Sequence, residues 1–349
     1  MKKKILIIGQ GLAGSFLAWN LLEEGHSILI VDDRHTHCSS LAAAGMVNPI
    51  TGKRLVLSQR CDELLPFAKN VYQRFETRFN RKFFESKKII RLFRDAQELS
   101  EWDKKSQQPH LTKYYGEKKK AGTWGSLIND QLGSFFIEQG GYCRKLDLLN
   151  CLTHYFHETG CLRFQTFHYD NLKILDDHVR WNNQDFSQII FCEGYLAQNN
   201  PWFKWLPFNH AKGEILELTT RNPLPDAVIS CGKWCVPFGK NKYMVGSTYS
   251  WDHFDCQTSQ AGRQKILDAI GEFIHVDFEV VHQLAGVRPI LKDLNPALGQ
   301  HPEYPHVKIF NGLASKGLIW GPFYARQMTD YLINNIPLDA QVNITRFTK

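Results

Sequence analysis

KILIIGQGLAGSFLAWNLLEEGHSILIVD, residues 4–32, is the stretch that decides the fold. An apolar run of strand length over residues 5–8 leads into a G-x-G-x-x-G turn at residues 9–14. Apolar residues at helical spacing follow, Gly25 ends the predicted helix, and a second apolar strand is closed by Asp32. This order of strand, glycine turn, helix, strand and acid predicts a Rossmann-like βαβ unit within an α/β fold.

The residues of this unit suit a dinucleotide. Gly9 allows the tight turn, Gly11 leaves room for a pyrophosphate, and Gly14 lets the helix pack closely on the strand. The helix N-terminus offers free N–H groups and the positive end of its dipole to the phosphates. Asp32 is placed to accept hydrogen bonds from the hydroxyls of an adenosine ribose.

The N-terminal sequence has two other interpretations. One is a glycine-rich turn in an unrelated α/β protein. The other is a secretory signal, because the lysines at residues 2–4 precede an apolar run. Glu23 and Glu24, the strand that ends in Asp32, and the lack of an A-x-A-like cleavage site argue against a signal.

Composition limits the possible classes of protein. The chain has 349 residues, enough for two domains, and no stretch approaches the roughly 20 apolar residues of a membrane span. Its nine cysteines form no C-x-x-C pair, and Cys231 and Cys235 are too isolated for a zinc site, so we expect no metal and a reduced, cytoplasmic protein. The net charge of +7 is moderate. Basic side chains on solvent-exposed surfaces would account for this charge, and binding of an anionic substrate or RNA is the second interpretation.

The remaining chain predicts further layers of the fold. Small residues crowd residues 42–46, an amphipathic helix covers residues 63–79, and a buried-type strand at residues 188–191 delivers Gly194. Successive strands between residues 214 and 284 lack obvious crossover helices and predict an antiparallel sheet. A C-terminal strand, a glycine loop at residues 312–317 and a helix over residues 321–334 repeat the strand–turn–helix pattern.

Several motifs, taken in order, resemble the FAD-dependent D-amino-acid oxidase family. They are the glycine turn with Asp32, AAAGMV at residues 42–47, KGE at 212–214, VGST at 245–248 and AGVRP at 285–289. Within the family the sequence is most similar to glycine oxidase. The last loop, with Ser315 and Lys316 where glycine oxidase carries an arginine, equally resembles the oxidase domain of the bifunctional tRNA wobble-uridine modification enzyme.

The resemblance implies a two-domain flavoprotein with noncovalent FAD. Residues 1–82, 140–212 and 286–349 would form the FAD-binding domain, and residues 83–139 and 213–285 the substrate domain. The implied reaction oxidises the C–N bond of an amino acid or carboxylate-bearing secondary amine by hydride transfer to flavin N5. A tRNA-modifying oxidase acting on a carboxymethylaminomethyl group, and a non-catalytic flavin-binding protein, remain as alternatives.

The candidates for the reaction are Arg288, Lys316 and Tyr249. The resemblance implies that Arg288 holds the substrate carboxylate, for which its planar fork is suited. Lys316, near a helix start, would place positive charge beside the N1–C2=O edge of the flavin. Tyr249 and Lys53 are further pocket candidates. A structural ion pair for Arg288 and a solvated loop position for Lys316 are the alternatives.

The cofactor-binding residues expected from the motifs and the resemblance lie in four stretches. They are Gly9, Gly11, Leu12, Ala13, Gly14; Asp32, Asp33, Arg34, Ser40, Ala43, Ala44, Gly45, Met46; Glu193, Gly194; and Arg288, Gly312, Ser315, Lys316, Gly317 and Leu318.

Overall fold

The computed structural model describes residues 4–34, 39–40, 42–252 and 254–348. Lys2 and Lys3, which belong to the N-terminal lysines discussed above, lie outside the described residues. In chain order the strands are β1 (Lys4–Ile8), β2 (Ser27–Asp32), β3 (Met46–Val47), β4 (Ile50–Thr51), β5 (Val56–Leu57), β6 (Phe84–Ser86), β7 (Ile89–Leu92), β8 (Tyr115–Lys119), β9 (Ser134–Ile137), β10 (Gly141–Cys143), β11 (Leu162–Phe164), β12 (Leu172–Ile174), β13 (Val179–Trp181), β14 (Gln184–Phe186), β15 (Gln188–Phe191), β16 (Ala211–Thr220), β17 (Val228–Cys231), β18 (Lys233–Gly239), β19 (Lys242–Gly246), β20 (Phe278–Arg288), β21 (Ala297–Gln300) and β22 (Val307–Asn311). The α-helices are α1 (Leu12–Glu23), α2 (Cys61–Phe79), α3 (Ala96–Lys105), α4 (Lys145–Glu158), α5 (Gln260–Gly271) and α6 (Gly317–Asn334).

A six-stranded sheet carries the predicted βαβ unit. Its order is β11–β2–β1–β15–β22–β21, and all neighbours are parallel except the pair β21–β22. The strand predicted at residues 188–191 is confirmed as β15, and it pairs directly with β1 in parallel. The mixed α/β fold is therefore as expected from the sequence.

Both faces of this sheet are covered, as continuous apolar strands require. Ile5 and Ile7 contribute to the core on the side of α1, α2, α4 and α6. Leu6 and Ile8 point to the other side, where they join a second core with the small antiparallel sheet β12–β13–β14. The alternation of neighbouring residues between the two cores follows from the period of two in a strand.

Helix α6 begins earlier than the sequence indicates, at Gly317 rather than residue 321. A start at residue 321 would place Pro322 in the first turn, where proline is common. In the structure Pro322 lies inside the helix, and it has no N–H to donate to the carbonyl of Leu318. The buried hydroxyl of Tyr72, on α2, donates to that carbonyl instead.

The second large sheet has eight strands in the order β20–β16–β19–β18–β17–β7–β9–β8. All pairs among the strands between residues 211 and 288 are antiparallel, as predicted. The parallel pair β17–β7 then adds three strands from residues 89–137. Helix α5, whose first turn is capped by the Ser259 side chain, packs Ile266 and Ile270 on this sheet. The domain boundaries themselves stay a prediction.

Among the described residues, none of the helices combines the length and the apolar character that crossing a membrane requires.

Candidate functional site

A cavity of about 760 Å³ lies where the carboxyl ends of the parallel strands meet the eight-stranded sheet. Its volume is in the range of sites for cofactors and drug-sized ligands. Most of the residues singled out from the sequence line it: Gly9, Gly11, Leu12, Ala13, Asp32, Asp33, Ser40, Ala43, Ala44, Gly45, Met46, Glu193, Gly194, Tyr249, Arg288, Ser315, Lys316, Gly317 and Leu318. Gly14, Arg34, Lys53 and Gly312 are not among the lining residues.

The three glycines of the turn have different structural roles. Gly9 has a φ of +98°, and a Cβ there would lie 2.6 Å from the carbonyl oxygen of Cys192. A Cβ on Gly14 would lie 1.9 Å from the carbonyl oxygen of Gly9, so Gly14 serves helix packing behind the cavity. Gly11 precedes α1 with an ordinary extended backbone, and a Cβ there would meet only the Ser40 hydroxyl, at 3.2 Å. Only Gly11 therefore keeps space free on the cavity side.

Asp32 connects the end of β2 to the glycine turn. One carboxylate oxygen accepts a hydrogen bond from the backbone N–H of Gln10 at 2.7 Å, and the other from that of Arg34 at 2.8 Å. The Arg34 guanidinium stacks on the ring of Phe164, 3.5 Å from its centroid, and not on the cavity wall. The expected ligand contact of Arg34 thus has no support in its position.

Glu193 follows β15 and lies at the centre of a hydrogen-bonded group. The Tyr169 hydroxyl donates to its carboxylate at 2.7 Å, and the Asn200 amide at 2.8 Å. Burial raises the pKa of Glu193 to about 7, while these two donors act in the opposite direction. Next to it, the carbonyl of Gly194 accepts from the side chain of Asn311, which joins the ends of β15 and β22.

Lys316 lies at the N-terminus of α6 and faces the cavity. Its ammonium group is 4.7 Å from the ring centroid of Trp320, one turn further along the helix. Burial lowers the pKa of Lys316 from its ordinary value. The lysine is half-buried, so the interpretation as a fully solvated loop lysine has no support.

Arg288 ends β20 at the opposite side of the cavity. Its Nη2 donates to the Ser247 hydroxyl at 2.8 Å, and its Cζ lies 4.3 Å from the ring centroid of Tyr249. Nη1 is buried and has no hydrogen-bond partner among the described residues. A Cβ on Gly213, on the neighbouring strand, would lie 2.2 Å from Nη1, so the absent side chain makes room for the guanidinium.

No carboxylate of the described residues forms a salt bridge with Arg288. Burial lowers the pKa of its guanidinium from the ordinary value. A desolvated guanidinium that lines a cavity and keeps one donor without a partner among the described residues is suited to an anion, and its planar shape matches a carboxylate.

Two further cations line the cavity and were not singled out from the sequence. Lys233, at the start of β18, donates to the backbone carbonyl of Ser247, and burial lowers its pKa. Arg91, on β7, forms a buried ion pair of 2.6 Å with Glu98 on α3. Arg91 could have been found from the sequence, because a charged residue inside the apolar run of residues 89–93 indicates a buried cation. Lys233 gave no such signal, because a lysine at a strand end is ordinary.

Comparison with known proteins identifies the class of this protein. The model of the family described as FAD dependent oxidoreductase (DAO) matches residues 4–331, and the chain belongs to this family. The protein is therefore an FAD-dependent oxidoreductase, and the glycine turn, Asp32 and the returning loop at α6 fit the cofactor.

Curated relatives include the tRNA 5-methylaminomethyl-2-thiouridine biosynthesis bifunctional protein MnmC of Marinobacter nauticus. It is 22% identical over 357 residues, which cover 93% of this chain and 55% of the relative. The corresponding protein of Haemophilus ducreyi is 20% identical, covering 97% of this chain and 57% of its own length. The chain thus spans about half the length of these relatives.

Solved structures with the same fold include two glycine oxidases and an iminodiacetate oxidase. Glycine oxidase from Geobacillus kaustophilus has a TM-score of 0.83 at 19% identity, with 99% of both chains covered. Glycine oxidase from Bacillus cereus gives 0.81 at 19% identity, covering 96% of both chains. Iminodiacetate oxidase from Chelativorans sp. gives 0.80 at 20% identity, covering 97% of this chain and 98% of the other.

Asp32 allows a direct test of the adenosine end of the cofactor site. Charge-assisted hydrogen bonds contribute roughly 1.5–3 kcal/mol, so we expect Asp32→Ala to weaken FAD binding about ten- to a hundred-fold. Titration of apoprotein with FAD, followed by flavin fluorescence, measures this. Asp32→Asn, which keeps the shape and one acceptor, should lose less. An unchanged FAD dissociation constant in Asp32→Ala would mean that the carboxylate only holds the turn at Gln10.

Glu193 should make stability depend on pH. Its pKa rises from the ordinary 4.5 to about 7 on folding, so the folded state binds this proton more tightly. The stability that Glu193 contributes is therefore present below about pH 4.5 and is lost as the pH rises through about 7. Glu193→Gln cannot titrate, and its stability relative to the natural protein should grow across this window by on the order of 3 kcal/mol.

Urea unfolding of both proteins at saturating FAD, from pH 4.5 to 8, measures this difference. The two proteins differ only at residue 193, so the difference between the two curves isolates Glu193. Parallel curves would contradict the raised pKa.

Proposed function

We propose that this FAD-dependent oxidoreductase oxidises the C–N bond of an amino acid or a carboxylate-bearing secondary amine. The observation that carries the proposal is Arg288, whose buried Nη1 is unpartnered among the described residues and which lines the same cavity as the cofactor motifs. The structural relatives named as glycine oxidase and iminodiacetate oxidase support the same class of substrate.

Bound FAD would supply the electron acceptor, at N5 of the flavin, for a hydride from the carbon next to the amine nitrogen. Arg288 would hold the substrate carboxylate, with Ser247 and Tyr249 fixing the direction of its guanidinium. Lys316 and the N-terminus of α6 would offer positive potential where negative charge develops. If the substrate amine enters in its neutral form, the reaction needs no strong protein base. This agrees with the candidate residues Arg288, Lys316 and Tyr249, which include no carboxylate and no histidine.

The domain division remains part of this proposal. Residues 1–82, 140–212 and 286–349 would bind the cofactor, and residues 83–139 and 213–285 would cover the substrate. The strands of the two large sheets support this division, since β1, β2, β11, β15, β21 and β22 fall in the first set. We also propose a cytoplasmic location, because all eight cysteines of the described residues are free thiols.

An anaerobic substrate screen tests the proposed reaction. Purified protein with bound FAD is mixed under nitrogen with glycine, sarcosine, iminodiacetate or D-amino acids, and flavin absorbance is followed. Bleaching by one of the carboxylate-bearing amines, and none by the matching amine without a carboxylate, is the expected result. Inertness toward all these amines and toward modified tRNA would favour a flavin-binding protein without turnover.

The second candidate is an oxidase that acts on a carboxymethylaminomethyl group of tRNA. The match to the two MnmC proteins along at least 93% of this chain favours it. In this case the flavin should be bleached by tRNA that carries the group and not by unmodified tRNA. Both candidate functions need Arg288 to bind a carboxylate, because the carboxymethylaminomethyl group is also a secondary amine that carries a carboxylate.

A further inference from the structure

Two cations of the cavity wall hold the same residue, Ser247. The ammonium group of Lys233, on β18, donates to the backbone carbonyl of Ser247. The guanidinium of Arg288, on β20, donates to the hydroxyl of the same residue at 2.8 Å. Ser247 is buried, and both cations line the cavity. The two positive charges are therefore separated by a single residue.

Neither of these two cations is neutralised by an acid. No described residue forms a salt bridge with Lys233 or Arg288. Burial lowers the pKa of both groups, and for Lys233 the positive charges of Lys265 and Arg288 act in the same direction. Cys231, opposite Lys233 on β17, stays neutral because burial raises the pKa of its thiol to about 11. The pair Lys233 and Arg288 thus leaves two positive charges uncompensated by the described residues.

The charged groups of the described cavity lining are divided between its two sides. The lining carboxylates belong to residues that end or follow strands of the six-stranded sheet: Asp32, Asp33 and Glu193. The strands of the eight-stranded sheet contribute cations and no carboxylate, and one of these cations, Arg91, is paired with Glu98. A zwitterionic amino acid whose carboxylate binds Arg288 therefore finds no acid on that side to receive its ammonium group.

We propose that Lys233 makes the cavity select the neutral form of the substrate amine. This inference rests on the proposed function, in which Arg288 binds the substrate carboxylate. That carboxylate balances one of the two positive charges on Ser247, and the remaining charge repels an ammonium group on the same substrate. A unit charge roughly 10 Å away, at an effective dielectric constant of about 20, changes such an equilibrium by about ten-fold.

The proton balance of this step leaves Lys233 unchanged. The substrate ammonium group loses its proton to solvent on binding, and the electron pair of that N–H bond stays on the nitrogen. This lone pair is then available when the hydride leaves the neighbouring carbon. The substrate carboxylate favours the charged form of Lys233. Lys233 thus acts as a fixed charge and accepts no proton.

Two ligands that the flavin cannot oxidise at the carbon next to nitrogen test this role. In α-aminoisobutyrate that carbon carries no hydrogen, and pivalate has the same shape with a methyl group in place of the ammonium. Calorimetric titration of the FAD-loaded protein at neutral pH gives the ratio of their dissociation constants. We expect Lys233→Met to shift this ratio toward α-aminoisobutyrate by about ten-fold. Lys233→Arg keeps the charge and should keep the ratio of the natural protein.

Lys265→Met is the matched control, because Lys265 is an exposed lysine of α5 that does not line the cavity. Solvent screens its charge, so the ratio should change by less than about two-fold. Equal weakening of both ligands in Lys233→Met would mean that Lys233 only holds Ser247 in place, and would overturn the inference. The same shift in Lys233→Arg as in Lys233→Met would overturn it too, because the charge would not be the cause.

Anaerobic flavin reduction separates this inference from the proposed function. With sarcosine, the pH of half-maximal reduction rate should rise by about one unit in Lys233→Met, because more of the bound amine keeps its proton. Loss of reduction at every pH in both Lys233→Met and Lys233→Arg would identify Lys233 as a base and overturn its role as a fixed charge. If no amine reduces the flavin, the proposed reaction fails, and the ratio of the two ligands still decides the inference.

Discussion

Arg288→Ala should lower kcat/KM for a carboxylate-bearing amine by about thirty- to several-thousand-fold. The guanidinium is desolvated, and its Nη1 has no partner among the described residues. Removing one member of such a buried charge pair costs roughly 2–5 kcal/mol, which converts to that range. Arg288→Lys should recover only part, because an ammonium lacks the two-pronged geometry for a carboxylate.

Anaerobic flavin reduction, normalised to bound FAD, measures this effect and separates two roles for Arg288. If the arginine grips the substrate, FAD content and thermal stability stay near normal while kcat/KM falls. If it is purely structural, stability and FAD content fall, and kcat/KM per FAD-loaded molecule changes little. Gly213→Ala offers an independent check, since its Cβ would come within 2.2 Å of Nη1 and displace the guanidinium without removing it.

Gly11→Val should yield a folded protein that is nearly free of FAD. The backbone at Gly11 has a φ of −74°, which any residue adopts, and a Cβ there meets only the Ser40 hydroxyl. The fold should therefore survive. The branched side chain would occupy the space in which a pyrophosphate approaches the start of α1. Flavin absorbance per protein and far-ultraviolet circular dichroism measure the two quantities.

Gly14→Ala is the informative contrast to Gly11→Val. Its Cβ would lie 1.9 Å from the carbonyl oxygen of Gly9, so it should damage the packing of α1 on β1 and lower thermal stability. Gly14 does not line the cavity, and any loss of FAD should follow the loss of fold. Full FAD occupancy in Gly11→Val would overturn the placement of the pyrophosphate.

The sequence was sufficient for features that depend on neighbours along the chain. The βαβ unit of residues 4–32 follows from apolar periodicity and three glycines, all within one short segment. The strands β15 and β22 were also predictable, because each is a short, mostly apolar segment that leads to a glycine. Most cofactor candidates line the cavity for the same reason: the carboxyl ends of parallel strands meet at one edge of a sheet.

Contacts between residues that are far apart in the sequence were decided by the tertiary structure alone. Arg288 could be predicted as a carboxylate grip, but its contacts with Ser247 and Tyr249 depend on strands that are distant in sequence. Local pattern also gave no sign that Arg34 stacks on the Phe164 ring, and it placed the start of α6 four residues too late. At α6 the hydroxyl of Tyr72 satisfies the carbonyl that Pro322 leaves without a donor. No local signal contains that partner, because it comes from another helix that only the folded chain brings into reach.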